Sequence, residues 1–489
     1  MRICIIAEGS YPYVVGGVSA WIDMVIRQMP EHEFIIQTIA VSREDAGSYQ
    51  YELPENVIEI REAFLNDEDI KTRGRRVRLT KRERAAVKSF IYGEKIDWPG
   101  FFNFFLFNDF SVNDFIMGKD FLEIVTEFAD DKFERSVYSN FIWTYRSMML
   151  PLCILLKNKL PEADLYHSVS TGYAGIMGSM AKYAYQKPFV VTEHGIYTRE
   201  RMEDIIRSDW TQGIYKDIWI EHFYKLSDCA YQYADTVTAL FQKARELQIE
   251  IGCPADKTGI LPNGIKVEEF LHLKGKDPAE PAINVGTVAR VTPIKDIKTM
   301  ISAFAYAKKQ LPALRLYIMG PVDEDKDYYQ ECLDLIAMME VADVIFTGRV
   351  NVKDYIGQMD IAILTSISEG QPLSILEFMA AARPCIATNV GCCEELILGS
   401  DPDREQPCGI ITPILNVTKI SEAILKLAGN PKLREEMGQA GRERVSRQYN
   451  NQLFLKRMHE LYNEQLIFED WSGGAVGEEV IQWLELDLN

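Results

Sequence analysis

Short apolar segments alternate with helical patterns along two separate parts of the chain, and this alternation restricts the fold more than any other feature. The first part holds the predicted strands RICIIAE, EFIIQTIAV at 33–41, DLYHSVS at 164–170, PFVVTEHG at 188–195 and DTVTALF at 235–241. The second part holds INVGTVAR, LRLYIMG, ADVIFTGR, MDIAILTS at 359–366 and RPCIATN. Strands that alternate with helices are typical of parallel sheets covered by helices. The sequence therefore predicts two α/β domains with Rossmann-like parallel sheets.

The length and the linker composition set the predicted domain boundaries. A chain of 489 residues that is 47% hydrophobic is long enough for at least two cores. The segment LKGKDPAEPA at 273–282 has two prolines and several charges, which is typical of a linker. We therefore expect an N-terminal domain over 1–272, a second domain over 283–449, and C-terminal helices over 450–489 that cross back to the first domain.

Residues 62–160 interrupt the alternation and predict an α-rich insertion in the first domain. The stretch begins with the basic run KTRGRRVRLTKRER, continues with the aromatic run FFNFFLFNDF, and has a predicted helix at 141–157. One interpretation is an exposed helix followed by a satellite core. The other is a surface that docks an acceptor or a partner. The sequence leaves both interpretations open.

Charge and cysteine usage exclude several classes of protein. The formal charge is -19, from 53 basic and 72 acidic residues, which argues against a general binder of nucleic acid or of anionic membranes. The nine cysteines are scattered without a CxxC pair, which favours reduced thiols and a cytoplasmic location. The start MRICIIAEGS suits a first strand better than a secretory signal, and no stretch approaches the roughly 20 apolar residues that span a bilayer.

Glu369 and Glu377 frame a glycine-containing turn after a predicted buried strand. Gly370 lets backbone approach a ligand, and Pro372 suits the first turn of a helix. The stretch from Gly370 through Gln371 and Pro372 to Leu373 presents backbone N–H groups at every residue except the proline. With the positive end of the helix dipole, these groups would hold a diphosphate without a metal. Glu369 is then expected to bind a hexose and Glu377 a ribose, because a carboxylate accepts two hydroxyl hydrogen bonds. The alternative is a Glu377 on a solvated helix face.

Arg290 and Lys295 follow the predicted strand INVGTVAR and precede a helix with Ile297, Met300, Ile301 and Phe304 on one face. Ligands bind at the carboxyl ends of strands in an open parallel sheet. Two fixed cations there would stabilise the charge on a departing nucleotide diphosphate. The alternative is an ordinary solvated surface pair.

Gly17 and His194 are the candidate site residues of the first domain. Gly17 follows the first strand, where the full GxGxxG pattern of nicotinamide enzymes is missing, so we expect its backbone to approach a donor phosphate. His194 follows PFVVTE and should emerge at the carboxyl end of a strand. A neutral imidazole there would hydrogen-bond the transferred hexose, and a cationic one would support the reacting centre. The alternative is a histidine satisfied by backbone in the core.

The second half of the chain resembles the retaining GT-B glycosyltransferases of family four. The resemblance rests on Arg290 and Lys295 five apart, on EGQPLSILE, and on ILPNGI at 260–265. The opening MRICIIAEGSYPYVVGGVSAWIDMVIRQM and the segment VVTEHGIYTRER resemble, more narrowly, the cytosolic glycosyltransferases of Pel exopolysaccharide synthesis.

This resemblance implies a GT-B fold with two domains facing a cleft, a UDP-sugar donor, retention at the anomeric carbon and no required metal or cofactor. It also implies a sugar contact from His194, a polysaccharide acceptor, and inner-membrane export proteins as partners that would hold the chain at the membrane periphery. Backbone near Arg349 and Val350 is expected at the uracil. The leaving phosphate itself would take the proton of the acceptor hydroxyl in retaining transfer.

Three functions stay open on the sequence. The first is a glycosyltransferase that extends an exopolysaccharide from a UDP-hexose or UDP-N-acetylhexosamine. The second is a non-catalytic subunit that binds a sugar nucleotide and scaffolds a membrane synthase. The third is another GT-B enzyme, such as a sugar-nucleotide epimerase or a phosphorylase, because a fold does not fix a reaction.

Overall fold

The computed structural model describes residues 1–66, 72–133, 138–158, 160–277, 279–400 and 405–463. The chain divides into two compact units. The first comprises Met1–Ala239 and Ala244–Gly259, and the second comprises Leu240–Lys243 and the described residues from Ile260 onward. Each unit is built around its own parallel sheet, so the α/β prediction is confirmed.

The first sheet has seven strands in the order β3-β2-β1-β4-β5-β6-β7, and the pairs from β3 through β6 are parallel. Ile3–Ala7 are all buried, as expected for a strand covered by helices on both faces. The strands are β1 Arg2–Glu8, β2 Glu33–Ala40, β3 Val57–Phe64, β4 Leu165–Ser168, β5 Phe189–Glu193, β6 Thr236–Ala239 and β7 Thr258–Ile260.

Ten α-helices accompany the first sheet in the described part of the chain. They are α1 Gly17–Gln28, α2 Lys81–Tyr92, α3 Trp98–Phe107, α4 Val112–Ile116, α5 Lys119–Lys132, α6 Tyr138–Lys157, α7 Tyr173–Tyr185, α8 Tyr197–Arg207, α9 Ile214–Tyr233 and, at the boundary of the units, α10 Gln242–Glu250. Two short 3-10 helices lie at Arg43–Asp45 and Ala255–Lys257.

The predicted α-rich insertion is observed, and it begins after β3, which ends at Phe64. Its aromatic run does not form a separate satellite core, because Phe101 and Phe105 belong to one apolar core together with Ile6 and Ile35 of the sheet. The basic run is not one exposed helix. Residues 72–80 are neither helix nor strand, and α2 begins only at Lys81.

The second sheet has six strands in the order β10-β9-β8-β11-β12-β13, and every pair is parallel. The strands are β8 Ile283–Val288, β9 Leu314–Met319, β10 Val344–Gly348, β11 Ile361–Leu364, β12 Cys385–Thr388 and β13 Gly409–Thr412. The four residues of β11 and the four of β12 are buried, as the apolar segments predict.

The helices of the second unit cover this sheet. The face of α12 that carries Ile297, Met300, Ile301 and Phe304 is buried, as the sequence predicts. The helices are α11 Glu268–Leu271, α12 Ile297–Gln310, α13 Lys326–Met338, α14 Lys353–Ile356, α15 Leu373–Ala380, α16 Cys393–Leu398, α17 Val417–Ala428, α18 Pro431–Gln448 and α19 Asn451–Asn463, with a 3-10 helix at Pro293–Lys295.

The boundary between the two compact units lies earlier in the chain than the predicted linker at 273–282. Residues 260–282 belong to the second unit because they bond to it: Ile265 bridges Asn450, and Lys276 pairs with Asp360 at 2.6 Å. That the C-terminal helices cross back to the first domain stays a prediction, and 464–489 lie outside the described residues. Among the described helices, none is long and apolar enough to cross a membrane.

Candidate functional site

The strand order of the second sheet reverses between β8 and β11. In a doubly wound sheet, ligands bind in the crevice outside the carboxyl ends of the two strands at such a switch point. The loop after β8 carries Lys295, and the loop after β11 carries Glu369. The topology thus brings two of the predicted site residues to the same edge.

Lys295 and Glu369 form a close ion pair at this edge. The ammonium Nζ of Lys295 donates to Oε1 of Glu369 at 2.6 Å, and the hydroxyl of Ser366 donates to the same oxygen at 2.6 Å. The side chains of the pair are only 19% and 11% exposed. No described residue donates to the second oxygen of Glu369, so this oxygen is available to a ligand hydroxyl.

Backbone hydrogen bonds hold the two loops together. The hydroxyl of Thr365 donates to the carbonyls of Lys295 and Asp296, at 3.1 Å each. The amide of Ile367 donates to the carbonyl of Ile294 at 2.9 Å. Asp296 adopts the left-handed conformation at φ 48° and caps α12 by accepting from the amide of Thr299. The pair is therefore positioned by the backbone of both loops and not by two flexible side chains alone.

The loop after β12 supports the turn at Glu369 and Gly370. The amide of Cys392 donates to the carbonyl of Gly370 at 3.1 Å. Gly391 has φ +53°, and a Cβ on it would lie 2.3 Å from the carbonyl oxygens of both Glu369 and Gly370. Only glycine fits there. Gly391 was not predicted as a site residue, because nothing near it in the sequence shows that the loop after β12 approaches the turn at Gly370.

Helix α15 begins at Leu373, with Pro372 as the preceding cap residue and not within the first turn. The side chain of Gln371 is buried and accepts from the amide of Asn263 at 2.7 Å. This bond joins the ILPNGI stretch to the EGQPL turn. The amide Nε2 of Gln371 and the carbonyl Oδ1 of Asn263 are buried without a partner among the described residues. A donor and an acceptor are thus left for a ligand beside the helix start.

Glu377 lies on α15 and is partly buried, so it is not on a fully solvated face. Burial raises the pKa of Glu377 to about 7, with Lys353 opposing the shift and Glu269 adding to it. Lys353 and Glu269 form an ion pair with each other. A carboxyl group with this pKa changes charge near neutral pH.

The remaining predicted residues of the second unit lie apart from the ion pair. Arg290 is exposed and donates to Glu324 at 2.9 Å, and no contact joins it to Lys295 in the described part of the chain. Arg349 and Val350 follow β10, at the same edge of the sheet but on its outermost strand. Their predicted contact with uracil stays a prediction.

Gly17 is the first residue of α1, and Gly16 caps the helix in an extended conformation. A Cβ on Gly16 or Gly17 would meet nothing within 4 Å. Neither packing nor backbone conformation therefore requires glycine at these positions. That a donor phosphate approaches the backbone at Gly17 stays a prediction.

His194 directly follows β5, at the carboxyl end of the strand as predicted. Its ring lies edge-on to Trp21 of α1 at 4.8 Å, and its Nε2 is buried without a partner among the described residues. Burial lowers the pKa of His194 to about 4, so the ring is neutral at physiological pH. The neutral hydrogen-bonding role is favoured over the cationic one.

Two carboxylates at the ends of β1 and β5 were not predicted. Glu193 is 2% exposed and accepts from the hydroxyls of Tyr231 at 2.7 Å and Thr171 at 3.0 Å and from Gln248 at 2.9 Å. Glu8 accepts from the amide of Ala174 at 3.1 Å. Burial raises the pKa of both carboxyl groups, although the hydrogen bonds lower it in part. Glu193 ends the apolar run PFVVTE, so the sequence itself indicated a carboxylate at the carboxyl end of this strand.

Two Rossmann-like parallel-sheet domains define the GT-B class of fold. The chain is similar in structure to HepE from Anabaena, solved in complex with UDP and glucose, with a TM-score of 0.59 and 14% sequence identity. The match covers 95% of this chain and 99% of the HepE chain. A likeness at this identity concerns the fold alone. It confirms the fold class predicted from the alternation of strands and helices.

The chain belongs to the family described as a domain of unknown function, DUF3492, which matches residues 1–256. Residues 273–444 match the family of glycosyl transferases group 1. The N-acetyl-alpha-D-glucosaminyl L-malate synthase of Bacillus anthracis is 26% identical over 175 residues, which are 35% of this chain and 43% of the relative. The amylovoran biosynthesis glycosyltransferase AmsK of Erwinia amylovora is 25% identical over 227 residues, 44% of this chain and 52% of the relative. The matches thus span about half the length of these curated relatives.

Proposed function

We propose that the chain is a retaining glycosyltransferase that moves a hexosyl group from a UDP-sugar to a growing exopolysaccharide. The observation that carries this proposal is the pair of Lys295 and Glu369 at the switch point of the second sheet, 2.6 Å apart and mostly buried. A mostly buried pair beside an unsatisfied amide and carbonyl is costly unless a ligand uses it. A sugar nucleotide has the diphosphate and the hydroxyls that such a site would bind.

The second unit supplies the donor contacts in this proposal. Lys295 stabilises the negative charge on the leaving diphosphate, and the backbone N–H groups of Gly370, Gln371 and Leu373 at the start of α15 bind its oxygens, since Pro372 has no N–H to donate. The second oxygen of Glu369 accepts a hydrogen bond from a hexose hydroxyl, and Glu377 accepts from the ribose. Arg349 and Val350 provide backbone for the uracil. A lysine and a helix dipole balance the phosphate charge in this scheme, and no metal is needed.

The first unit supplies the sugar and acceptor contacts. The unpartnered Nε2 of neutral His194 hydrogen-bonds the transferred hexose. The backbone at Gly17 approaches the donor phosphate through the open space in front of it. In the second unit, Arg290 adds a second cation for the leaving group when it exchanges its surface partner Glu324 for phosphate. Retention follows from a leaving phosphate that accepts the proton of the acceptor hydroxyl on the same face.

The polymeric acceptor is proposed from the relatives and the resemblance. AmsK is described as a glycosyltransferase of amylovoran biosynthesis, and a further relative, CapM of Staphylococcus aureus, as one of capsular polysaccharide biosynthesis. The N-terminal segments resemble those of Pel exopolysaccharide synthesis. We therefore propose a polysaccharide acceptor of the Pel type, a cytoplasmic site of action, and inner-membrane export proteins as partners.

Calorimetric titration without added metal tests the donor assignment. We expect UDP to bind the full chain, GDP and ADP to bind weakly, and Glu377→Ala to lose UDP binding. Glu422→Ala is the matched control, because Glu422 is an exposed glutamate on a helix of the same unit. A folded chain that binds none of the three nucleotides would disprove the donor site.

Product analysis separates transfer from the other candidate functions. With a UDP-hexose and an oligosaccharide acceptor, we expect a lengthened acceptor with the anomeric configuration of the donor. Binding of UDP with neither transfer nor donor hydrolysis would instead indicate the non-catalytic scaffold subunit. A changed sugar nucleotide without an acceptor would indicate an epimerase.

A further inference from the structure

The basic segment, defined here as residues 72–84, stands out in a chain with a formal charge of -19. It contains seven basic residues and the single acidic residue Glu83, and its basic residues are Arg73, Arg75, Arg76, Arg78, Lys81, Arg82 and Arg84. Arg75, Arg76 and Arg78 are exposed, and their side chains form no ion pair with any residue that the structure describes. Arg73 pairs with Asp109, and Arg84 pairs with Glu123 and Glu127, so the unpaired positive charge of the segment lies on its other five basic residues, as far as the structure describes their partners.

Helix stability does not explain these charges. Lys81 and Arg82 open α2, where the helix dipole is positive and cations are unfavourable. The helix is capped instead by Thr80 and Glu83, which form a capping box. Arg84 does serve the fold, because it joins α2 to α5 through Glu123 and Glu127. Lys81 and Arg82 add nothing to the cap, so a role outside the fold is the better explanation for them.

Hydrogen bonds place the basic segment beside exposed apolar side chains. Arg73 forms a bidentate pair with Asp109 at 2.8 and 2.9 Å, and Glu83 accepts from Asn108 at 2.9 Å. Both partners directly follow Phe107, whose side chain ends α3 and is 80% exposed. Two residues of the basic segment thus bond to the two residues that follow Phe107.

The exposed apolar surface continues across the next helices. The amides of Arg73 and Arg75 donate to Asp114 of α4, three residues before Met117, which is 52% exposed. Arg146 contacts the sulfur of Met117 and lies over the ring of Trp143 at 5.1 Å; that ring is 58% exposed. We call Phe107, Met117 and Trp143 the apolar rim.

We propose that the basic segment and the apolar rim dock the first unit directly onto an anionic lipid surface. Positive charges attract the headgroups, and projecting Phe, Met and Trp side chains enter the boundary between headgroups and acyl chains. The overall negative charge does not prevent this, because at about 0.15 M salt only charges within roughly 8 Å act strongly on the surface. The proposal is independent of the identity of the sugar donor.

A fluid lipid surface fits better than an acidic protein. The three rim side chains are exposed, and Arg146 contacts two of them, so a deformable partner accommodates them without a matched pocket. An acidic protein partner predicts no binding to vesicles without that protein. Binding to vesicles that contain only lipid therefore distinguishes a lipid surface from an acidic protein as the partner.

Vesicle flotation with the full chain tests the proposal. We expect the chain to float with vesicles that contain phosphatidylglycerol and not with phosphatidylcholine alone. The R75E/R76E/R78E variant should lower the bound fraction at equal lipid by about tenfold or more. The control K419E/K426E/K432E makes the same change in net charge on exposed lysines of the second unit and should float like the wild type.

A second measurement reports insertion of the rim. Addition of anionic vesicles should shift tryptophan emission to the blue, and Trp143→Phe should remove most of that shift while the protein still floats. The F107S/W143S variant should bind several-fold more weakly than the wild type even at about 0.5 M salt, where charge is screened. Failure of the wild type to float, equal loss in both triple variants, or an unchanged blue shift in Trp143→Phe would each overturn the proposal.

Discussion

The two units share one strand order yet fill the carboxyl edge of their sheets differently. In the first unit, Glu8 and Glu193 end two strands and are closed off by tyrosine, threonine and amide donors. In the second unit, Lys295 and Glu369 meet across the switch point, and buried polar atoms of the neighbouring loops lack partners. The two carboxylates of the first edge are satisfied by the fold, and only Nε2 of His194 beside them is proposed for a ligand, whereas the second edge presents a charged pair beside unpartnered polar atoms.

This difference shows that topology alone does not define a ligand site. Parallel sheets place polar groups at their carboxyl edges in both units, as the fold requires. A carboxylate surrounded by neutral internal donors contributes to stability, because removing it leaves those donors unpaired. A carboxylate that faces a lysine on a separate loop forms a charged pair suited to phosphates and hydroxyls. The following variants test this distinction.

Lys295→Ala should have the largest effect on activity. Loss of the charge on the leaving group should lower the turnover number by about a hundredfold or more, since removing one transition-state donor typically costs that much. The measurement is transfer from a UDP-hexose, with circular dichroism to confirm folding. Lys298→Ala is the control, because Lys298 lies on α12 in an exposed pair with Glu331. Equal turnover in Lys295→Ala and the wild type would remove Lys295 from the site.

Glu193→Ala should affect stability and not nucleotide binding. It would leave buried donors from Tyr231, Thr171 and Gln248 unpaired, at a cost of roughly 3 kcal/mol in the free energy of unfolding. Chemical denaturation measures this, and UDP affinity should not change below the transition. Glu203→Ala on α8, where the side chain is 39% exposed and forms only surface ion pairs, should shift stability by less than about 0.5 kcal/mol. A Glu193→Ala chain with full stability and weakened donor binding would reverse the comparison between the two edges.

Gly391→Ala should weaken UDP binding through the backbone. The added Cβ collides with the carbonyls of Glu369 and Gly370, and the left-handed conformation adds about 1–2 kcal/mol of strain. We expect roughly tenfold weaker UDP binding as the turn shifts, measured by calorimetry. Gly275→Ala serves as the control, since a Cβ there meets nothing within 4 Å. If both variants bind UDP alike, the loop after β12 does not position the site.

The sequence predicted the sheets well because buried parallel strands are continuous apolar runs. Ten strands were predicted at positions where strands are observed, and the switch-point pair followed from two of them. The strand β3, VIEIREAF, lies at the edge of the sheet, and its charged residues Glu59, Arg61 and Glu62 interrupt the apolar ones. It was missed because it is not a continuous apolar run. The strands β7 and β13, of three and four residues, were also missed.

The details of the site were less predictable because they depend on contacts between distant loops. Nothing local shows that Gly391 approaches the turn at Gly370, or that Gln371 reaches Asn263 over 108 positions. Arg290 looked equivalent to Lys295, yet it pairs with Glu324, which follows a different strand. The periodicity of a strand or helix is read locally, whereas these pairings are set by the packing of the whole unit.

The smallest expected effect is the pH dependence of stability that Glu377 causes, and it is also the most specific test. Burial raises its pKa to about 7 from an ordinary value near 4.5, so the folded chain holds this proton more tightly than the unfolded chain. The contribution of this group to the free energy of unfolding is therefore lost as pH rises from about 4.5 to 7. Glu377→Gln should gain roughly 1–3 kcal/mol relative to the wild type between pH 5 and pH 8. Thermal unfolding at the two pH values measures this difference.

The same titration should appear in donor binding. The ionised carboxylate is the stronger acceptor for the ribose hydroxyls, so UDP affinity of the wild type should rise by up to about tenfold between pH 6 and pH 8 relative to Glu377→Gln. Titration of the UDP phosphate affects both proteins equally and cancels in the ratio. A ratio that stays constant with pH would show that Glu377 does not bind the ribose as a carboxylate. In that case its raised pKa would reflect burial alone, and the second edge would resemble the first more closely than the ion pair suggests.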